Sequence, residues 1–117
     1  MLLCGLALSA CGQPNVTEGP GGACRWQSKV WHFDSVAPPN RVQIWNVLPV
    51  GLDLELNGKR VTRSSAISQI EATKDYDPGA YVLLSKGNAS CNGLKLLADE
   101  IDDRFNCDLN YCFVVPD

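Results

Sequence analysis

The stretch GLDLELNGKRVT, residues 51–62, decides the fold because it encodes a β-hairpin and the start of a helix. Three leucines alternate with acidic residues, which predicts a strand with one apolar and one polar face. These leucines are Leu52, Leu54 and Leu56. Asn57 and Gly58 supply the two positive φ angles of a type I′ hairpin turn. Thr62 is a favourable N-cap, so a helix is predicted to begin at the next residue.

The chain after this hairpin predicts helix, strand, helix and strand in turn. The first helix covers 63–74, and the apolar run AYVLLS at 80–85 is a short buried strand. A second helix covers 92–105, where apolar residues recur at helical spacing on one face. These residues are Leu94, Leu97, Ala98, Ile101 and Phe105. YCFVV at 111–115 is a closing apolar strand, which completes a strand–helix–strand unit.

The chain before the hairpin adds one more strand. RVQIWNV at 41–47 alternates in polarity and follows APPN at 37–40, where paired prolines interrupt regular structure. CRWQSKVWHF at 24–33 is interpreted as an extended segment packed on the domain. The sequence therefore predicts a single domain over 24–117 with an α+β fold. Its small mixed sheet carries two helices on one face and ends in a C-terminal βαβ unit.

The N-terminal residues predict an exported protein with a lipid anchor. Residues 1–10 are apolar and lead into Leu8-Ser9-Ala10-Cys11, which resembles the lipobox of bacterial lipoprotein signal peptides. The resemblance implies cleavage before Cys11 and lipidation of its thiol, and the acyl chains then hold the protein on a bilayer. Residues 11–23, rich in Gly and Pro, are predicted to be a flexible tether. No basic residue precedes the apolar run, a departure that an upstream start or a truncated sequence would explain.

The cysteines beyond Cys11 predict two disulfide bonds, because an even number in an exported domain is typical of a disulfide framework. They are Cys24, Cys91, Cys107 and Cys112. Cys91 and Cys107 bracket a helix about 20 Å long, whereas the Cα atoms of bridged cysteines lie roughly 4.4–6.8 Å apart. Cys91 and Cys112 would lie near opposite ends of parallel strands. We therefore expect the pairs Cys24–Cys91 and Cys107–Cys112. The wide spacings do not favour a zinc site, so neither a metal nor a cofactor is predicted.

From Leu52 to Val115 the chain resembles the periplasmic domain of the ExbD/TolR family of biopolymer-transport proteins. The matching stretches are LNGKRVT, DPGAYVLLS, GLKLLADEI and CFVVP, in the same order of elements. The resemblance implies a periplasmic domain that dimerises and engages the cell wall or envelope proteins. Members of the family carry a transmembrane helix with an acidic residue, whereas residues 2–10 contain no acid. The paired cysteines also lack a counterpart in the family, and no catalytic residue carries over.

The net charge and the composition of the chain narrow the range of possible functions. The net charge of −3 over 117 residues argues against a nucleic-acid partner. The sequence predicts a non-catalytic domain that is attached to the membrane by its lipid anchor and binds an envelope protein or peptidoglycan. The outer membrane is favoured because Gly12, not Asp, follows Cys11. A small periplasmic enzyme or enzyme inhibitor is the alternative, and a purely structural lipoprotein is a third.

The candidate binding residues are Lys59, Arg60 and Arg63, which surround the hairpin end and could meet anionic lipid or a wall polymer. Exposed charges are also ordinary at such a turn. The acidic run at 99–103 is interpreted as a solvated helix face, because a helix splays neighbouring side chains about 100° apart. His32 has no nucleophile motif to serve and is interpreted as structural. Three tryptophans are interpreted as core residues: Trp26, Trp31 and Trp45.

Overall fold

The computed structural model describes residues 16–18, 23–34, 36–77, 79–108 and 111–115. Within these residues the strands are β1 (Thr17–Glu18), β2 (Cys24–Arg25), β3 (Trp31–His32), β4 (Ile44–Val50), β5 (Asp53–Leu56), β6 (Lys59–Thr62), β7 (Tyr81–Leu84) and β8 (Tyr111–Val114). The helices are α1 (Arg63–Tyr76) and α2 (Cys91–Phe105). No helix of the described residues combines the length and apolarity needed to cross a membrane.

Six strands form one mixed sheet in the order β3-β8-β7-β4-β5-β6, and β1 pairs with β2 in a separate small sheet. Strands β3, β8, β7 and β4 run parallel, whereas β5 and β6 are antiparallel additions. Strands β7 and β8 are adjacent and parallel and are joined through α2, so they form a βαβ unit. The predicted α+β fold is confirmed, including the two helices and the C-terminal unit.

The hairpin forms as the sequence predicts, with one exception. Asn57 and Gly58 have φ of 53° and 83°, and the Thr62 side chain accepts a hydrogen bond from the Ser65 amide at 3.2 Å. The exception is Leu52, which is 93% exposed and does not share the buried face of the other two leucines. Strand β4 continues to Val50, so Leu52 falls in the turn between β4 and β5 and its side chain leaves the strand alternation.

The core lies between the sheet and the helices. All five apolar residues predicted on α2 are buried, together with Ala66, Ile67 and Ile70 of α1. Trp26 and Trp31 are buried and Trp45 is half-buried. The indole nitrogen of Trp31 donates to the Ala98 carbonyl at 3.2 Å, and that of Trp45 donates to Thr73 Oγ1 at 2.7 Å. These bonds satisfy the polar ends of two rings inside the apolar layer.

Two disulfides close the domain in the pairing predicted from the sequence. Cys24 pairs with Cys91 and Cys107 with Cys112, with Cα separations of 5.4 Å and 5.6 Å. The N-terminal boundary differs from the prediction, because Thr17–Glu18 lies in the predicted tether but forms β1 and pairs with β2. Val16 is half-buried against the core. Backbone pairing with β2 and this apolar contact outweigh the Gly/Pro-rich composition around them.

Candidate functional site

The predicted basic cluster is not assembled into one surface. Arg60 Nε lies 3.1 Å from Asp53 Oδ2, and Arg63 Nε lies 3.0 Å from Glu100 Oε1 on α2. Lys59 is exposed and adjoins Arg60 on the same strand, so the two side chains point to opposite faces of the sheet. Each arginine is therefore neutralised by its own carboxylate, on different parts of the molecule.

The acidic run of α2 is used in local contacts. Asp99 Oδ2 lies 2.9 Å from Lys95 Nζ, and Asp102 Oδ1 accepts a hydrogen bond from the Cys107 amide at 2.9 Å. Asp103 is exposed. The described residues contain no group of three or more His, Cys, Asp or Glu side chains placed to hold a metal ion. The acidic side chains therefore form local contacts near the C-terminal end of the helix and keep its surface solvated.

A second ion pair between the two helices, besides Arg63–Glu100, shifts the pKa of both of its partners. Arg104 Nη2 donates to Glu71 Oε1 at 2.7 Å, and this hydrogen bond lowers the pKa of Glu71. The same bond raises the pKa of Arg104. Lys74 Nζ also donates to the Arg104 carbonyl at 2.9 Å. The contact fastens α1 to α2 at the surface and offers no nucleophile or general base.

A cavity of about 70 Å³ lies at the carboxyl ends of the parallel strands, and we name it the carboxyl-edge cavity. Phe33 directly follows β3, Val115 directly follows β8 and Lys86 comes two residues after β7. Three strands that are neighbours in the sheet thus bring their last residues to one place. The remaining lining residues come from β2, α2, the end of β8 and the chain before β2: Ala23, Cys24, Arg25, Leu94 and Val114.

The carboxyl-edge cavity is cationic and otherwise apolar. Arg25 and Lys86 supply its charges, and none of the described residues that line it is acidic. Neither takes part in the ion pairs formed by the described residues. The Arg25 guanidinium carbon lies 6.0 Å from the centre of the Phe33 ring. Because Cys24 is bonded to Cys91 at the first position of α2, the strand that carries Arg25 is fixed to the helix layer.

The sheet face away from the helices carries an aromatic row, which we define as His32, Tyr81, Tyr111 and Phe113. Tyr81 stacks on Tyr111 with ring centres 4.7 Å apart and on Phe113 at 5.8 Å. His32 lies 5.3 Å from the Phe113 ring and has an exposed side chain. Tyr111 is 47% exposed. Two members of the row, His32 and Tyr111, are therefore exposed at the surface, and the other two are half-buried.

Neither the cavity nor the aromatic row was predicted as a site. Arg25 and Lys86 are 61 positions apart in the sequence (86 − 25), and no local motif marks them. The sequence did contain a signal for the aromatic row. Tyr81 alternates with the buried Val82 along its strand, and Tyr111 alternates with the buried Cys112. Such alternation places the tyrosines on the face opposite the core.

The predicted lipidation residue, Cys11, lies outside the described residues. No protein-family model, no curated protein and no solved structure matches the chain. Function is therefore inferred from the residues and from the geometry that they form.

Proposed function

We propose that this protein is a lipid-anchored component of the bacterial cell envelope whose α+β domain binds an envelope protein or a cell-wall polymer without catalysing a reaction. The observation that carries the proposal is the disulfide pattern. All four described cysteines are bonded, and structural disulfides are typical of proteins that fold outside the reducing cytosol. An exported domain agrees with the lipobox-like sequence that ends at Cys11.

The position of Cys24 suits a domain held by its N-terminus. Cys24 follows Cys11 by 13 positions (24 − 11), and its bond to Cys91 links this end of the domain directly to α2. The described fold begins at Val16, five positions after Cys11 (16 − 11). Five residues reach at most about 18 Å even when fully extended. A lipid on Cys11 would therefore hold the domain close to the bilayer surface.

The resemblance to the ExbD/TolR family supports a binding role for this domain. In this proposal the protein keeps the envelope-binding part of that role and has a lipid in place of a proton-driven transmembrane helix. The aromatic row provides an exposed surface for a partner, since tyrosine is enriched where proteins bind one another. Dimerisation remains a prediction from the resemblance. Sorting to the outer membrane remains a prediction from Gly12, which follows Cys11.

Membrane attachment is tested by replacing the anchor cysteine. In a Gram-negative host we expect the wild-type chain in the membrane fraction, from which detergent releases it, and Cys11→Ser in the soluble or unprocessed fraction. Cys4→Ser is the matched control, because Cys4 precedes the predicted cleavage site, and it should behave as the wild type. Membrane retention of Cys11→Ser at the wild-type level would contradict the anchor.

Partner binding is tested by site-specific photo-crosslinking in cells. A photoreactive amino acid at position 111 should crosslink the protein to an envelope protein or to peptidoglycan. The same amino acid at position 96 is the control, because Leu96 is also exposed (59%) but lies on α2, in the helix layer on the other face of the sheet. Equal crosslinking at both positions, or none at 111, would refute the aromatic row as the binding surface.

A further inference from the structure

We propose that the carboxyl-edge cavity binds a small monocarboxylate, with the carboxylate between Arg25 and Lys86 and a short apolar group against Phe33, Leu94 and Val114. The proposal goes beyond the envelope-binding function and does not depend on the lipid anchor. It is carried by a cavity that combines two cationic side chains with an apolar wall and whose described lining residues include no acid.

The place of the cavity in the fold favours a ligand site. In open sheets of parallel strands, ligands bind in the crevice outside the carboxyl ends of the strands. Here β3, β8 and β7 are adjacent and parallel, and the residues at or just beyond their carboxyl ends line the cavity. Arg25 is added from β2, which the Cys24–Cys91 disulfide fixes in place. The backbone that carries Arg25 is therefore held at the cavity before a ligand arrives.

The two positive charges in the cavity favour an anionic ligand. Four other basic residues of the described chain pair with carboxylates: Arg60, Arg63, Lys95 and Arg104. Arg25 and Lys86 form no ion pair within the described residues and line one cavity beside apolar side chains, where their like charges repel. An anion between them converts this repulsion into two charge-assisted hydrogen bonds.

The size and the wall of the cavity select the class of anion. Its volume of about 70 Å³ exceeds the roughly 10–15 Å³ that one water molecule requires and is well below the about 300–1,000 Å³ of ordinary ligand pockets, which favours a ligand of a few heavy atoms. Apart from the two cations, the lining is apolar and includes Phe33, Leu94 and Val114. A tetrahedral dianion would leave several oxygens against this wall without donors. A monocarboxylate places its two oxygens at the cations and its carbon chain on the wall.

The test is an NMR titration of the full oxidised chain in detergent micelles with butyrate. Its neutral analogue butyramide and inorganic phosphate serve as comparison ligands. We expect saturable shifts of the Arg25, Phe33 and Val115 amides with butyrate, and binding at least about tenfold weaker for the neutral amide and for phosphate. Equal binding of the neutral amide, tighter binding of phosphate, or no saturable shift would each overturn the proposal.

Substitutions of the cationic residues test whether the carboxylate binds in the carboxyl-edge cavity. Arg25→Gln and Lys86→Gln should each raise the Kd for butyrate by about tenfold, because each removes one charged hydrogen-bond donor. Lys59→Gln, which removes an exposed cation from the opposite edge strand, should leave the Kd unchanged. Unchanged spectra of the unliganded variants verify that they are folded. A Lys59→Gln effect equal to that of Lys86→Gln would show non-specific attraction and would contradict the site.

Discussion

At the scale of single residues, two glycines with left-handed backbones have very different surroundings. Gly87 has φ of 57°, and a Cβ atom there would lie 2.7 Å from the Pro49 carbonyl oxygen and 2.9 Å from Leu48 Cδ1. Gly58 has φ of 83°, and its Cβ would meet nothing within 4 Å. Gly87 thus allows the loop after β7 to approach β4, whereas Gly58 serves only the conformation of the hairpin turn.

Alanine substitutions separate these two roles. Gly58→Ala should lower the free energy of unfolding by about 1 kcal/mol, the cost of a left-handed conformation for an alanine. Gly87→Ala should lower it by about 2–4 kcal/mol, because the clash with the β4 backbone adds to the same conformational cost. Urea denaturation with the disulfides intact measures both. Equal losses for the two variants would mean that the loop does not press against β4.

The Glu71–Arg104 pair predicts a specific dependence of stability on pH. The folded pKa of Glu71 is lowered from its ordinary value of 4.5, chiefly by the hydrogen bond from Arg104. Since the ionised form is favoured in the folded state, the contribution is fully present above that ordinary value and is lost as the pH falls through the lowered folded pKa. Glu71→Gln should therefore destabilise the protein slightly at pH 7 and have no effect once the pH is well below the folded pKa. Thermal denaturation at both pH values checks this, and a larger loss in acid would contradict it.

At the scale of elements, α2 carries the sharpest division between buried and exposed side chains. Leu97 is 1% exposed and packs in the core, whereas the adjacent Leu96 is 59% exposed. Leu97→Ala should lower the free energy of unfolding by about 3–5 kcal/mol, because it removes buried methyl groups and leaves a cavity. Leu96→Ala should change it by less than about 0.5 kcal/mol. Chemical denaturation of the two variants tests the orientation of the helix, and similar values would show that it is wrong.

The elements that the sequence predicted are those whose signals are local. The turn at Asn57, the cap at Thr62 and the apolar stripe of α2 each depend on residues within a few positions of one another. Strand β3 is different, because its two residues become a strand only by pairing with β8, 81 positions later (112 − 31). The same holds for β1, which pairs with β2 although its composition is typical of a tether.

The candidate sites were less predictable for the same physical reason. The carboxyl-edge cavity draws its lining from four strand ends and a helix, so its composition is decided by topology. The basic cluster near Arg60 and Arg63 was visible in the sequence, but the distant Glu100 that neutralises Arg63 was not. Charge clusters in a sequence therefore say little about binding until their partners in the fold are known.

At the scale of the whole molecule, two disulfides of unequal span stabilise the domain. Cys24–Cys91 spans 67 positions, whereas Cys107–Cys112 spans 5. Chain entropy assigns about 4 kcal/mol to the longer loop and about 2 kcal/mol to the shorter one. Cys24→Ala with Cys91→Ala should therefore destabilise the protein more than Cys107→Ala with Cys112→Ala. Equilibrium denaturation compares the two double variants, and the reverse order would show that packing at the short bridge outweighs loop closure.

The whole molecule is, in our proposal, a small cross-linked domain that a lipid on Cys11 holds at a membrane outside the cytosol. The described fold begins five positions after that residue (16 − 11), and the first disulfide fixes the entry of the chain to α2. In the same proposal, the carboxyl-edge cavity takes a ligand and the aromatic row takes a partner, on separate surfaces of the domain. Cys24 of the longer disulfide is itself a lining residue of the cavity.

The most direct test is the intact mass of the protein extracted from membranes, measured after thiol alkylation with and without prior reduction. We expect a chain that starts at an acylated Cys11, takes up no alkyl groups before reduction and takes up four after it, one for each bonded cysteine. A chain that retains residues 1–10, carries no acyl group and is alkylated without reduction would contradict the anchored, oxidised domain.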